Sequence, residues 1–485
     1  MDILTPDKEK KIAQLTGAGI ELYPARAPRT HTASDVATLT AGLGIAEKLE
    51  ATTVAIAGRV TQIRLMGKTC FVNLADGSGK TQAYLRSDEL GENFQLFKDT
   101  VEAGDMIGVG GFPFKTKTGE PTVHAKSWTM LAKALRPPPE KWHGLKDTEI
   151  RYRQRYLDLM SNPEIRTIFE KRTKIVRAIR GVLDERGFLE VETPIFHIQP
   201  GGAAAKPFVT RHEALDTDLY LRIAIELHLK RLLVGGMERV YEINRCFRNE
   251  GIDTTHNPEF TMLEAYQAYA DYNDMAVLTE NIIRAAAAAT GTDPATLTFA
   301  TANLPVLWQK LTSRPLSAIL KDPYTFDKDK LIETAKALDV GFDAKAPAHK
   351  IFDKILDQKL LPQLPALCFL FDYPTAVSPL AKHKPGEPEI VERFELFKNG
   401  TELVNAFSEL NDPREQRPRM QAQVRLKELE KDEEAPPLDE DFLQALEHGM
   451  PPTGGMGLGI DRLCMALLGI DSIREVILFP VLKPR

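Results

Sequence analysis

Cysteine is scarce: four residues in 485, Cys70, Cys246, Cys368 and Cys464, stand far apart, with no CxxC pair and no metal-type spacing to histidine. Such usage gives no support to a disulfide framework or a zinc site, and it fits a reducing, cytoplasmic location. Long apolar runs are missing too: no stretch reaches the roughly 18 residues of a membrane span, and the opening MDILTPDKEKK lacks the apolar centre of a secretory signal, so no membrane partner is expected. Nor is there an excess of positive charge. With 62 Lys and Arg against 68 Asp and Glu the net charge is −6, so any nucleic acid must be held by local patches and not by general attraction. One further absence removes a decoy: GSGKT, Gly77 to Thr81, has Leu74 where a phosphate-binding loop needs its first glycine, and reads as a hairpin turn.

A chain of 485 residues, 43% apolar and 27% charged, is a globular protein too long for one ordinary core. Residues 1–52 read as a partly helical extension broken by Pro24 and Pro28. From Thr53 to Arg136 the texture changes to five short strands (54–63, 69–74, 81–85, 106–112 and 122–131) separated by glycine turns, the pattern of a small Greek-key barrel of the oligonucleotide-binding (OB) type. Such barrels stack single-stranded bases on aromatic side chains. Phe71 is the stacking candidate, Arg64, Gln82 and Glu120 the candidates for base edges, and Lys68, Lys115 and Lys117 those for phosphates; the plainer alternative is a core phenylalanine and solvent-facing lysines. Pro137, Pro138 and Pro139 open a stiff linker assigned to 137–160, and the remainder, 161–485, forms a second body.

In that body, apolar spacing from Ile165 to Leu183 predicts a helix over 164–187 closed by Gly187, followed by a strand over 188–191. The densest chemistry lies in Arg239 to Tyr266, where Arg245, Arg248, Glu250, His256, Glu259 and Glu264 sit among Phe247 and Phe260. Two apolar runs around Asn249, Gly251 and Asp253 predict a hairpin that brings His256 to Phe260 back beside Arg248 and Glu250. A guanidinium grips phosphate with two hydrogen bonds and, opposite an aromatic ring, makes a slot for a flat base; the plainer alternative is a surface ion-pair hairpin. Upstream, PGGAAAKPF, Pro200 to Phe208, lets a ligand approach backbone or is merely a loose loop. Arg222 and Glu226 stand four apart. A mostly helical, alanine-rich stretch from about 270 to 388 is too long for a connection and reads as an insertion. Asn399–Gly400 predicts a second hairpin; a two-residue turn pairs Phe397 with Glu402 and makes Glu395 and Glu402 diagonal neighbours able to share a divalent cation, whereas a three-residue turn would separate them. Last, GGMGLGIDRLCMALLG passes from glycines into an apolar helix and is no dinucleotide fingerprint.

FRNEG followed by HNPEFTMLE resembles motif 2 of the class II aminoacyl-tRNA synthetases, in the wording of the lysyl branch. The 164–194 helix, strand and proline are similar to motif 1, Gly454 to Gly469 to motif 3, PGGAAAKPF to the amino-acid-binding loop and SPLAK, Ser378 to Lys382, to a loop near the active site; one departure is Ile225, where the family usually has proline. The resemblance implies an α+β protein: a five-stranded OB barrel for the anticodon and a catalytic domain built on an antiparallel sheet flanked by helices. It implies ATP held by Arg248, Glu250, His256, Phe260, Glu395 and Arg462, with Arg248 and Arg462 as catalytic cations and Mg2+ on Glu395 and Glu402. Lysine falls to Gly202, Glu226, Arg248, Glu264, Tyr266, Asn405 and Glu409: Glu226 for the α-ammonium, Glu264 with Tyr266 and Glu409 for the ε-ammonium, Asn405 and Arg248 near the carboxylate. Arg64, Phe71, Gln82 and Glu120 fall to the anticodon of tRNA(Lys), and the enzyme is implied to be a homodimer. A lysyl transferase acting on a protein, or a catalytically silent tRNA-binding paralogue, are the alternatives.

Overall fold

The computed structural model describes residues 4–139, 145–430, 434 and 436–484. They fall into two compact units, Met1–Leu145 and Lys146–Arg485.

In the first unit, β1 (Val54–Met66), β2 (Thr69–Ala75), β3 (Lys80–Arg86), β4 (Met106–Lys115) and β5 (Pro121–Ala132) close a barrel in the order β1-β2-β3-β5-β4. Strict alternation builds it: Cys70, Val72 and Leu74 go inward with Ala83, Leu85, Val123 and Ala125, leaving Phe71, Gln82 and Tyr84 on the outer face. The N-terminal extension is no appendage. Helices α1 (Pro6–Gly17) and α2 (Ala33–Thr40) each drive one fully buried residue, Leu15 and Val36, into the barrel core. The helix Glu92–Thr100 between β3 and β4, unread in the sequence, adds Phe94 and Phe97 to the same core.

The second unit is built on a nine-stranded sheet. Along it run β9 (Ala300–Asn303), β10 (Leu367–Pro374), β11 (Glu387–Lys398), β12 (Thr401–Ser408), β13 (Thr453–Gly459), β8 (Glu259–Ala268), β7 (Arg239–Phe247) and β6 (Leu189–Glu190); the short strand His383–Lys384 pairs with β11. The six central strands are antiparallel, while β6 and β9 join the edges in parallel, so the sheet is mixed. One face is covered by α3 (Pro163–Glu185) and α5 (Tyr272–Thr290), whose Ile175, Ile179, Leu183, Met275 and Ile282 pack on Leu263, Phe394 and Leu458. Pro163 starts α3 and Gly187, at φ +75°, turns the chain out of it into β6.

The stretch from 270 to 388 is not one insertion. Its first helix, α5, belongs to the main core, and β9 and β10 belong to the main sheet; only the segment between them gathers a second core, around Leu304, Trp308, Ile351 and Phe352, which also takes in β10 and β11 residues such as Tyr373 and Val391. Alanine-rich helical texture does not reveal which core a helix joins. The linker assigned to 137–160 is likewise partly built: 140–144 lie outside the described residues, but helices Thr148–Arg153 and Arg155–Ser161 follow, with Arg155 and Asp158 paired and fully buried.

Candidate active site

The other face of the sheet is the floor of a cavity of about 1140 Å³. Period-two alternation sorts the strands: Leu263 and Ala265, Met456 and Leu458, Phe394 and Leu396 go to the core, while Glu264 and Tyr266, Gly455 and Gly457, Arg393 and Glu395 line the cavity. The expected hairpin turn is present, with Asn399 and Gly400 at φ +48° and +77° and Phe397 opposite Glu402. The sequence did not disclose a bulge just beyond: Leu396 pairs with Val404, so Leu403 is an extra residue facing the core. That single residue switches the parity of β12, and Glu402, Asn405, Phe407 and Glu409 all line the cavity.

The hairpin of β7 and β8 carries the cationic end. Arg248 N–H donates to the Pro258 carbonyl at 2.9 Å, closing the loop, and its guanidinium lies 5.1 Å from the centre of the Phe260 ring. Glu250 and His256 line the same cavity from the loop. His256 Nδ1 is 2.9 Å from the carboxylate of Asp253, a residue the sequence reading used only as a turn former, and its Nε2 is 3.3 Å from Arg462. Arg462 sits at the start of α7 (Ile460–Leu468) and also reaches Glu402 at 3.3 Å. Its neighbour Asp461 pins that start, accepting from Thr261 N–H at 2.7 Å and pairing with Arg172 of α3 at 2.7 Å.

Glu395 and Glu402 differ in setting. Glu395 is held by Arg393 at 2.5 Å and by the Tyr373 hydroxyl at 2.8 Å, and burial, with Glu402 adding to it, raises its carboxyl above the usual range. Asp353, on α6 (Ala348–Ile355), is pushed up to about 7 by burial and then by Glu395. Among the described residues no group of three or more metal-binding side chains is assembled. Two hard carboxylate donors fit a cation that keeps most of its shell as water and phosphate oxygens, as magnesium does.

At the other end the cavity is acidic. Glu226 opens α4 (Glu226–Val234); Gly202, at φ +81°, brings the 201–204 loop so close that a Cβ there would lie 3.2 Å from the Glu226 Cβ. Glu264 accepts from the Tyr266 hydroxyl at 2.9 Å and from Ile225 N–H at 3.0 Å, and its carboxyl is raised to about 7 by burial, then by the charge of Glu226. Ile225 thus supplies a donor that proline lacks. Glu409 is 1% exposed, and its Oε1 has no hydrogen-bond partner among the described residues. A buried carboxylate oxygen facing a cavity without a donor is costly unless a cation fills the gap. Gly455 keeps that gap open, since a Cβ there would collide with Glu409 Oε1 and lie 2.5 Å from Tyr266.

All thirteen residues assigned to ATP, lysine and metal line this one cavity. Arg222 does not: it is buried in an ion pair with Glu242 at 2.7 Å and donates to the Arg245 carbonyl, bracing β7. Sequence reasoning missed Lys230, one helical turn after Glu226, fully buried, 2.5 Å from Glu226 and paired with Glu409. The i, i+4 spacing was the available signal. Arg393, two residues before Glu395 and so on the same face, was missed as well.

On the barrel, Arg64, Phe71 and Tyr84 lie in one cross-strand row and Gln62, Asn73, Gln82 and Thr122 in the next. Phe71 packs on Tyr84 with ring centres 4.7 Å apart. Gln82 is 4% exposed and shares its amide with Asn73 at 3.3 Å and Thr122 at 3.2 Å, while Glu120 is exposed just before β5. Lys115, read as a phosphate contact, instead caps the carbonyls of Ala41 and Leu43 at 3.2 and 2.9 Å.

A mostly antiparallel sheet with a cationic hairpin, a glycine-paved floor strand and an arginine at the following helix start defines a class II aminoacyl-tRNA synthetase. The comparisons agree: tRNA synthetases class II (D, K and N) match residues 147–483, and the OB-fold nucleic acid binding domain matches 54–131. The chain is 50% identical to the lysine–tRNA ligase of Pelotomaculum thermopropionicum, over 99% of this chain and 94% of the relative. It is 50% identical to that of Moorella thermoacetica (98% and 97% covered) and 48% to that of Thermotoga maritima (98% and 95%). The chain belongs to the lysine–tRNA ligase family of class II synthetases.

Proposed function

We propose that the chain activates L-lysine with ATP, releasing pyrophosphate, and transfers the lysyl group to the 3′-terminal adenosine of tRNA(Lys). The observation that carries the substrate is the buried Glu409 Oε1, without a hydrogen-bond partner among the described residues, in an acidic pocket continuous with the Arg248 and Arg462 end of one cavity. Activation forces two anions together, the substrate carboxylate and the α-phosphate of ATP, so the site must spread positive charge over them. Arg248 serves that junction and Arg462 the distal phosphates. Phe260 stacks the adenine, flanked by Glu250 and His256. Glu226 takes the α-ammonium, beside the close-approaching Gly202, and Asn405 lies with Arg248 near the carboxylate. Glu264, Tyr266 and Glu409 take the ε-ammonium. No side-chain nucleophile is required, because positioning and electrostatics supply the acceleration. Glu395 and Glu402 would hold Mg2+, which when bound neutralises phosphate oxygens.

Arg64, Phe71, Gln82 and Glu120 read the anticodon, with Phe71 stacking a base. The enzyme works as a homodimer in the cytoplasm; among the described residues no helix is long and apolar enough to cross a membrane. The test is amino-acid-dependent exchange between ATP and pyrophosphate. Lysine alone among the standard amino acids is expected to drive it, and Glu409→Gln to abolish it; undiminished exchange in that variant removes the assignment.

A further inference from the structure

Three carboxylates facing one small ligand pose a problem before the ligand arrives. Glu226, Glu264 and Glu409 are each less than a tenth exposed, and like charges at such range resist being ionised together. Lys230 addresses this from behind the pocket wall. Its side chain is fully buried and its Nζ contacts both Glu226, at 2.5 Å, and Glu409. The Phe407 and Phe442 rings, 5.3 and 5.9 Å away, close over it. We propose that Lys230 is a positioning and specificity-determining residue: a built-in ammonium that ties the α-ammonium anchor Glu226 and the ε-ammonium anchor Glu409 to one cation, fixes their spacing and favours the carboxylate form of Glu409.

The inference rests on the lysine reading above and extends it to charge. With Glu226, Glu264 and Glu409 all ionised, as binding of an ammonium requires, the two cations Lys230 and Arg248 leave these five groups one negative charge from neutral. Free lysine, with two ammoniums and one carboxylate, carries the matching single positive charge; an amino acid with an uncharged side chain leaves the excess buried. Bridging also fixes the distance between the two anchors, so a diamine of another length cannot satisfy both. The groups facing this cluster are Glu226 on the same helix, Glu264 and Tyr266 from β8, Glu409 beyond β12, Arg248, and Cys246 from β7, a buried thiol pushed up to about 12 and therefore neutral. Burial opposes the Lys230 charge, and the two carboxylates outweigh it; burial also raises the Glu409 carboxyl well above the usual range, and Lys230 is the strongest influence drawing it back down.

The experiment is lysine-dependent pyrophosphate exchange from pH 6 to 9 with Lys230→Met, which keeps the length and removes the charge. Without the resident cation Glu409 and Glu264 protonate more readily, so the acid limb of the lysine KM is expected to move up by about one pH unit or more, with KM at pH 7 at least tenfold higher and kcat within about threefold of the parent. A residue that only packs would raise KM or lower the melting temperature without moving the pH midpoint, and that result overturns the proposal. Should Lys230→Met fail to fold, the charge-compensated Lys230→Met/Glu226→Gln protein is expected to fold with a melting temperature within a few degrees of the parent; its failure to fold overturns the proposal equally. If another amino acid drives exchange in the parent enzyme, the lysine reading itself is at fault; lysine-driven exchange with an unmoved midpoint refutes only the role of Lys230.

Discussion

Lysine should bind more weakly as the pH falls through neutrality, and Glu264 alone sets the least size of the effect, since burial raises the Glu409 carboxyl as well. Its carboxyl, buried between Tyr266 and Ile225 N–H and facing Glu226, is pushed up to about 7 by burial and then by the Glu226 charge. An ε-ammonium needs the ionised form, so a proton competes with substrate. For one competing proton the apparent KM scales as one plus the ratio of protonated to ionised carboxyl, which gives a KM about twofold above its alkaline limit at pH 7 and about elevenfold above it at pH 6. The sign follows from burial raising the carboxyl: protonation is favoured in the empty pocket and reversed when an ammonium enters. The same shift makes ionised Glu264 a cost to folding of about 3 kcal/mol above pH 7. That cost disappears as the pH falls toward the ordinary carboxylate range, the reverse of what a salt-bridged carboxylate contributes. The assay is the lysine KM in pyrophosphate exchange at saturating ATP between pH 6 and 8.5, for the parent and for Glu264→Gln, which retains an acceptor for Ile225 N–H. The parent KM should climb on acidification; in the glutamine variant it should be higher throughout and climb less steeply, by the share that Glu264 contributes. A flat parent profile, or an equal slope in both proteins, refutes the reasoning.

Ile225→Pro deletes the N–H donor to Glu264 and pulls φ from −101° toward about −65°, so the lysine KM at pH 7 should rise roughly tenfold through loss of one hydrogen bond to a charged group, measured in the same exchange assay. Gly455→Ala places a methyl group in the gap between Glu409 and Tyr266; a stability loss of about 1–3 kcal/mol by denaturant titration should accompany a collapse of lysine binding. Glu402→Gln should raise the magnesium concentration needed for half-maximal exchange by tenfold or more, measured by titrating the metal at fixed ATP. Phe71→Ala on the barrel face should lower kcat/KM for tRNA charging by about tenfold to a hundredfold, the worth of one base stack, with the loss seen in charging and not in exchange.

The sequence alone carries what short-range physics writes into contiguous residues. Strand alternation and glycine turns reported the barrel, helical spacing reported α3, and the Asn399–Gly400 turn reported a hairpin with Phe397 opposite Glu402. The motif stretches reported which arginines and glutamates line one cavity, because each motif keeps these residues a few positions apart on one element. Out of reach were features made by elements distant in the chain. The bulge at Leu403 leaves no mark in composition, yet it decides that Asn405 and Glu409 share the cavity with Glu402. The division of the 270–388 stretch between two cores depends on which apolar faces meet, and a helical stripe is the same whichever partner buries it. Lys230 shows the limit most plainly: in the sequence it is an ordinary lysine on an amphipathic helix, and only the fold brings Glu409, just beyond β12, against it and turns a solvated charge into a buried one paired with two carboxylates.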